Sequence, residues 1–152
     1  MTNKQIFANQ TRTWIGTKFH HQGRLKKNQN FEGGCDCLGL LIGVIKELSL
    51  DKKISQNIDE IDEKNYQRVI KTPILEENMK KYFKKKSINS MEVGDIALFQ
   101  CKNSKNPHHI GIINQMNDKF TLIHAFLSVN EVVEHILDEY WKESIHSLYE
   151  IP

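Results

Sequence analysis

The sequence has few cysteines, no long apolar run and little net charge, and each shortage excludes a class of protein. Three cysteines among 152 residues, two of them in a Cys-x-Cys pair, do not resemble a secreted disulfide framework. No segment approaches the roughly 18 uninterrupted apolar residues of a membrane span. The net charge of +2 is too small to indicate nucleic-acid binding by itself.

The N-terminus and the overall composition are typical of a globular chain without a leader. The first residues, Met-Thr-Asn-Lys-Gln, are polar and lead into no apolar core of signal-peptide length. We therefore expect synthesis in the cytoplasm without a signal peptide, so that any action outside requires delivery by something else. Hydrophobic residues make up 39% and charged residues 26%, and the length of 152 residues predicts one domain over 1–152.

The apolar pattern predicts helices in the first half of the chain and strands in the second. Helices are predicted over 3–15, 36–48 and 74–85, and the polar stretch 51–72 has room for a short helix around 62–69. Strands are predicted over 95–100, 109–114, 119–126, 129–137 and 144–151. Short connections then favour an α+β domain, with N-terminal helices packed on a C-terminal antiparallel sheet of about five strands.

The segment 33–40, Gly-Gly-Cys-Asp-Cys-Leu-Gly-Leu, carries the strongest chemical signal. Cys37 falls in the first turn of the helix predicted over 36–48, and Asp36 is its expected N-cap. A helix N-terminus favours the thiolate over the thiol, and the thiolate is the reactive species. Most free cysteines are small buried hydrophobes. The Gly-Gly lead and a histidine at the head of a later strand favour a nucleophile instead.

His109 opens the predicted strand 109–114 and is the candidate base for Cys37. Alternation places His109 and Gly111 on one face of that strand. Gly111 would leave space beside the imidazole for a close approach. We interpret this face as the one that packs against the cysteine helix.

His124 lies in the next predicted strand and is the candidate third residue of the site. If the two strands pair antiparallel, His124 lies beside His109 and can orient its second ring nitrogen, as the third group of a catalytic triad does. His135 and His146 lie in late strands where nothing in the pattern recruits them. We interpret both as structural.

Cys35 leaves other interpretations open. It precedes the helix, so it does not share the N-terminal advantage equally and is a bystander, a redox partner of Cys37 or a metal ligand. Cys35 and Cys37, together with His20, His21 or His108, contain the atom types that bind zinc. Structural zinc sites usually use Cys-x-x-Cys spacing, so the Cys-x-Cys pair favours catalysis over metal binding. We predict no metal and no cofactor.

Three segments in this order resemble the NlpC-type cysteine peptidases, papain-like bacterial enzymes that cut cell-wall peptides. They are Asp-Cys-Leu-Gly-Leu at 36–40, His-Ile-Gly-Ile at 109–112 and Ile-His-Ala at 123–125. Further segments at 13–17, 21–23 and 93–95, with the doubled cysteine, resemble the phage cell-wall peptidase branch. Members of that branch are associated with tails of phages and gene-transfer particles. The resemblance runs from about residue 8 to the C-terminus.

The resemblance implies a papain-like fold with the nucleophile at the start of a central helix. It implies Cys37 as nucleophile, His109 as base and His124 as the residue that orients the base. The implied reaction is hydrolysis of peptidoglycan stem peptides, typically between D-glutamate and diaminopimelate, without a metal. It also implies phage-tail or gene-transfer-particle proteins as partners, and action at the cell wall or periplasm, with no nucleic acid and no membrane span.

Phe19 departs from the family pattern, which commonly has a tyrosine there whose hydroxyl lies near the active site. Phenylalanine cannot donate a hydrogen bond, so one part of an oxyanion hole is missing unless His21 or Gln22 substitutes for it. With Asp36, these three residues are the candidate substrate-binding residues. The alternative hypothesis is a structural phage-tail protein that keeps the fold and has little catalytic activity.

Overall fold

The computed structural model describes residues 1–54 and 73–152. The helices in this part of the chain are α1 (Asn3–Arg12), α2 (Cys37–Glu47), α3 (Ile74–Tyr82) and α4 (Glu139–Ser144). The strands are β1 (Arg24–Leu25), β2 (Gly34–Cys35), β3 (Lys84–Lys86), β4 (Ile96–Phe99), β5 (His109–Met116), β6 (Lys119–Phe126), β7 (Glu131–Ile136) and β8 (Ile145–Glu150). The short helix predicted around 62–69 lies outside the described residues. Within them, no helix combines the length and apolar character needed to cross a membrane.

Six strands form one antiparallel sheet in the order β3-β8-β4-β5-β6-β7, and β1 and β2 pair separately. The predicted α+β class, with helices before an antiparallel sheet, is confirmed. The strand beyond the predicted five is β3, which the apolar pattern assigned to the end of a helix. Its sequence is Lys-Lys-Lys and it pairs with β8 at the sheet edge. Lysine is common on edge strands because it discourages pairing with other chains. The single domain over 1–152 stays a prediction.

Helix α2 is buried along most of its length because small residues let other elements approach it closely. A Cβ atom at Gly39 would overlap the carbonyl oxygen of Gly23, and one at Gly43 would overlap the Trp14 ring. The apolar residues of α2 fill the main core beneath the sheet. The two glycines cost helix propensity, and the expected close packing that offsets this cost is confirmed.

Strand β5 divides the buried side chains between the two faces of the sheet. Ile110 and Ile112 pack with the α2 residues in the main cluster, whereas Ile113 belongs to a smaller cluster on the opposite face. Alternation places His109 on the face of Ile113. The interpretation that the face of His109 packs against the cysteine helix is therefore wrong, because the opposite face, with Ile110 and Ile112, packs against it. His109 is the first residue of β5, so its ring stands at the end of the strand.

Candidate active site

A cavity of about 370 Å³ with mainly apolar walls lies where α2 and β5 both begin. Its lining includes Cys37 and His109, the predicted nucleophile and base. Three of the four predicted substrate-binding residues also line it, namely Phe19, His21 and Asp36. The structure thus brings the cysteine and histidine sides of the predicted site to one cavity.

The start of α2 fixes the position of Cys37. Asp36 caps the helix as predicted, and its Oδ1 accepts a hydrogen bond of 2.9 Å from the Gly39 N–H. The sulfur of Cys37 accepts hydrogen bonds from the backbone N–H groups of Ile110 and Leu38. Because Ile110 directly follows His109, these contacts hold the sulfur against the first residues of β5.

The surroundings of Cys37 favour the neutral thiol. Burial is the largest cause and the Asp36 carboxylate the second, and together they raise the pKa of Cys37 to about 12. The hydrogen bonds from Ile110 and Leu38 act in the opposite direction and are outweighed. A helix N-terminus contributes at most about 1 kcal/mol at an ordinary site, less than the cost of burying a thiolate beside a carboxylate. These surroundings oppose the thiolate that the helix position favours, so a resting thiolate stays a prediction.

Asp36 also ties the preceding loop to the helix. Its Oδ2 accepts a hydrogen bond of 2.7 Å from the Gln22 N–H, and its Oδ1 accepts one of 2.9 Å from Arg24 Nη1. Asp36 is only 4% exposed, so this pairing is shielded from water. Gln22 has a φ of +60° and is absent from the cavity lining, so its backbone supports the site through Asp36. A substrate contact by Gln22 stays a prediction.

Three histidines form a hydrogen-bonded row on the sheet. His109 Nε2 lies 2.7 Å from His124 Nδ1, which confirms the predicted proximity of these two rings. His124 Nε2 lies 2.8 Å from His135 Nε2, and His135 Nδ1 lies 2.9 Å from the Ile136 carbonyl oxygen. His135, which nothing in the sequence pattern places at the site, is thus the third ring of the row, and its interpretation as structural stays a prediction. The predicted catalytic roles of His109 and His124 stay predictions.

Strand register explains why these histidines meet. In the β6–β7 pair, His124 is opposite Val133 and Leu122 is opposite His135, so the two histidines are diagonal neighbours on one face. A Cβ atom at Gly111 would overlap the Leu122 side chain and lie 3.3 Å from His124 Cβ. Glycine at 111 therefore permits the close approach of β5 and β6 beside the row.

Trp141 of α4 packs across the whole histidine row. Its ring centroid lies 5.9 Å from that of His109, 4.9 Å from that of His124 and 5.9 Å from that of His135. Burial lowers the pKa of His109 to about 3 and that of His124 to about 2, and neighbouring histidines add to both effects. Both rings are therefore neutral near pH 7.

Sequence reasoning missed Trp141 because helix α4 lies where the apolar pattern gave only a connection between strands. One local signal for α4 is present. Asp138 is its N-cap and accepts a hydrogen bond of 3.1 Å from the Trp141 N–H. The N-cap residue Asp138 is thus the sequence feature that could have indicated the helix.

The other two cysteines differ from Cys37 in their surroundings. Cys35 is fully buried in β2, and burial raises its pKa to about 12. Cys101 is half-buried and lines the cavity, where Tyr140 Oη lies 3.5 Å from its Sγ. In the stretches 1–54 and 73–152, no three His, Cys, Asp or Glu side chains are grouped so as to hold a metal ion. The geometry therefore gives the zinc interpretation of Cys35 no support.

Comparison with known proteins identifies a family and several similar folds. A family model described as the NlpC/P60 family matches residues 16–150. The fold is similar to the crystal structure of an NlpC/P60 family protein from Bacillus cereus ATCC 10987, with a TM-score of 0.65 and 14% identity. It is also similar to NlpC2 from Trichomonas vaginalis, with a TM-score of 0.54 and 17% identity. No curated protein matches the sequence.

These structures differ in length from the present chain. The match covers 100% of this chain and 41% of the Bacillus protein, and 97% of this chain and 46% of the Trichomonas protein. The chain thus spans less than half of either protein. A Bacteroides uniformis ATCC 8492 structure described as an N-acetylmuramoyl-L-alanine amidase has a TM-score of 0.56 and 11% identity. That match covers 97% of this chain and 95% of the amidase.

Proposed function

The chain belongs to the NlpC/P60 family, and from that premise we propose that it is a cysteine peptidase that hydrolyses peptidoglycan stem peptides. Cys37 is the nucleophile, His109 the base and His124 the residue that orients the base. The observation that carries this proposal is that Cys37 and His109 line one cavity while His109 lies 2.7 Å from His124. This is the nucleophile, base and orienting group that covalent catalysis requires.

The reaction starts from a neutral thiol and a neutral imidazole. His109 takes the proton of Cys37 while the sulfur attacks the peptide carbonyl carbon, and the Cys37 backbone N–H stabilises the oxyanion. His109 then gives its proton to the departing amine, leaving a thioester on Cys37. A water molecule deprotonated by His109 attacks the thioester, which releases the acid product and restores the thiol.

The cavity suits the substrate proposed from the family resemblance, a stem peptide cut between D-glutamate and diaminopimelate. Its walls are mostly apolar, and no lysine or arginine is among the described residues that line it. The apolar walls can hold the aliphatic portion of the substrate. Helix α3 contributes Ile74, Leu75 and Asn78 to the lining and also carries the exposed Lys80 and Lys81. Substrate carboxylates that extend along α3 would meet these cations.

Digestion of purified peptidoglycan, followed by mass analysis of the fragments, tests the proposal. We expect the wild type to release stem-peptide fragments and Cys37→Ala to lose at least about 10⁴-fold in rate, because the nucleophile is gone. Cys35→Ala is the matched control, and it should retain most of the activity while circular dichroism shows both variants folded. Equal cleavage by Cys37→Ala and the wild type would refute the assignment, and fragment masses would identify the bond.

The second candidate function is a structural phage-tail protein with little catalysis, in which case the chain acts as a component of a particle at the cell wall. Phe19 favours it, because the side chain lines the cavity without a hydroxyl to donate to an oxyanion. Intact peptidoglycan after prolonged incubation with the folded wild type, together with detection of the chain in purified particles, would favour this candidate over the peptidase.

A further inference from the structure

The histidine row ends on a group that can only accept a hydrogen bond. His135 Nδ1 lies 2.9 Å from the Ile136 carbonyl oxygen. A carbonyl oxygen carries no proton, so Nδ1 must carry the hydrogen of this bond. In a neutral imidazole the other nitrogen then has a lone pair and accepts. The Ile136 carbonyl therefore makes His135 Nε2 an acceptor.

This constraint passes from ring to ring along the row. Since His135 Nε2 accepts, His124 Nε2 must donate across their 2.8 Å contact, and His124 Nδ1 is left as an acceptor. His109 Nε2 must then donate across the 2.7 Å contact to His124 Nδ1. The lone pair of His109 is thereby placed on Nδ1, the nitrogen that His124 does not occupy.

We propose that His135 is a positioning residue for this site, which through His124 holds His109 in the tautomer whose Nδ1 can take the proton of Cys37. The inference rests on the proposed function, since it assigns His135 a purpose in the same reaction. His135 does not touch the reacting atoms. Its effect is to set the direction of both hydrogen bonds in the row.

The groups around His135 show which charges act on it. Its ring contacts are His124, Phe126 and Trp141. The adjacent carboxylate of Glu134 is occupied by Arg12 and Thr121 on the other face of the sheet. The Asp138 side chain caps α4 through the Trp141 N–H. His135 is half-buried, whereas His124 is fully buried, so His135 is the outer ring of the row.

Nitrogen NMR of the histidine side chains tests the inference without any need for activity. Two-bond ¹H–¹⁵N correlation spectra of uniformly labelled protein at pH 7.5 identify which nitrogen of each neutral ring carries the hydrogen. We expect the Nδ1–H form for His135 and the Nε2–H form for His124 and His109. In His135→Phe, His124 should lose its single tautomer. The reverse order in the wild type, or an unchanged His124 signal in the variant, would overturn the inference.

Kinetics on peptidoglycan provide the second test. His135→Phe keeps an aromatic ring against Trp141 but removes the acceptor, and we expect kcat to fall about tenfold or more with little change in KM, because part of the His109 population adopts the wrong tautomer. His135→Gln offers an amide oxygen to His124 Nε2, so it should recover most of kcat.

His146→Phe is the matched control, because His146 contacts Ser147 and Glu76 away from the row and should leave kcat unchanged. Wild-type kcat in folded His135→Phe would overturn the inference. If His135→Phe does not fold, the wild-type nitrogen spectra decide, and the reverse order of tautomers in them overturns the inference. Failure of the proposed function appears differently, as an absence of cleavage by the wild type whatever tautomers the spectra show.

Discussion

The cysteine side of the cavity is held by contacts within a short stretch of chain, whereas the histidine side depends on the register of three strands. Asp36 bonds to Gly39, Gln22 and Arg24, all within 14 positions of it. The histidine row joins residues 109, 124 and 135 and is covered by Trp141. Cys37 is thus placed by local capping, and His109 is placed by the tertiary fold.

The two sides nevertheless share one electrostatic property, since each disfavours the charged form of its main residue. Burial and Asp36 raise the pKa of Cys37 to about 12, while burial and His108 lower the pKa of His109 to about 3. Both shifts favour a neutral thiol and a neutral imidazole in the absence of substrate. The difference between the two sides lies in how they are built, and their similarity lies in their low solvation.

The largest effect expected from this comparison is on the pH dependence of Cys37 alkylation. Iodoacetamide reacts with the thiolate, whose fraction rises tenfold per pH unit below the thiol pKa. With a pKa of about 12, the alkylation rate of Cys37 should rise about 100-fold between pH 6 and pH 8. Mass spectrometry of the peptide that contains Cys37, over a time course at each pH, measures this rate.

The urea-unfolded chain is the control for that measurement, because its thiols have ordinary pKa values of about 8.5. Above pH 9 its alkylation rate should level off, while the rate for folded Cys37 continues to rise. A rate in the folded chain that stays constant from pH 5 to pH 8 would show a thiolate at rest. Cys37 would then be ionised at rest, as its position at the helix N-terminus alone suggests.

The next largest effect concerns the contribution of Asp36, on the cysteine side, to the stability of the fold. Asp36→Ala removes the N-cap of α2 and leaves the donors of Gln22 and Arg24 without this buried acceptor. We expect the free energy of unfolding to fall by about 3 kcal/mol, because the helix cap and two hydrogen bonds to a buried carboxylate are lost together. Urea denaturation monitored by circular dichroism measures the change.

Thr2→Ala is the matched control for capping at an exposed site. Thr2 caps α1 and forms a reciprocal pair of hydrogen bonds with Gln5. Its loss should cost about 1 kcal/mol, since both groups are open to water. Equal losses for Thr2→Ala and Asp36→Ala would mean that the contacts of Asp36 with the loop add nothing to stability.

The same division between local and distant contacts decides what the sequence could predict. The N-cap at Asp36 and the buried helix α2 depend on residues close in sequence, and both are confirmed. The strands from β4 onward follow from alternation and turn residues. Strand β3 was missed because Lys84–Lys86 has no apolar alternation, and only its pairing with β8 makes it a strand.

The histidine side shows where sequence reasoning stops. The proximity of His109 and His124 could be predicted, since the two strands are neighbours in sequence and joined by a tight turn. His135 could not be assigned because its place depends on a diagonal contact across the β6–β7 register. The raised pKa of Cys37 was missed for a related reason. Burial is set by the whole fold, and the helix position shows only the smaller, opposing effect.

The smallest expected effect is that of Phe19→Tyr on kcat. Phe19 is half-buried and lines the cavity on the cysteine side, where its N–H donates to the Asn130 carbonyl at 2.9 Å and the residue bridges to Cys35. This fixed backbone should direct an added hydroxyl toward the site. A full oxyanion donor is worth about 100-fold or more, but in the proposed reaction the Cys37 N–H already provides one. We therefore expect a gain in kcat of only about threefold to tenfold.

Steady-state cleavage of a purified stem peptide measures this gain, and Phe31→Tyr is its control. Phe31 is 45% exposed and is absent from the cavity lining, so the same added hydroxyl should leave kcat unchanged there. A loss of activity in Phe19→Tyr would mean that the ring at 19 serves as an apolar wall for substrate. The cysteine side would then contribute shape and position to the reaction, and oxyanion stabilisation would depend on backbone donors.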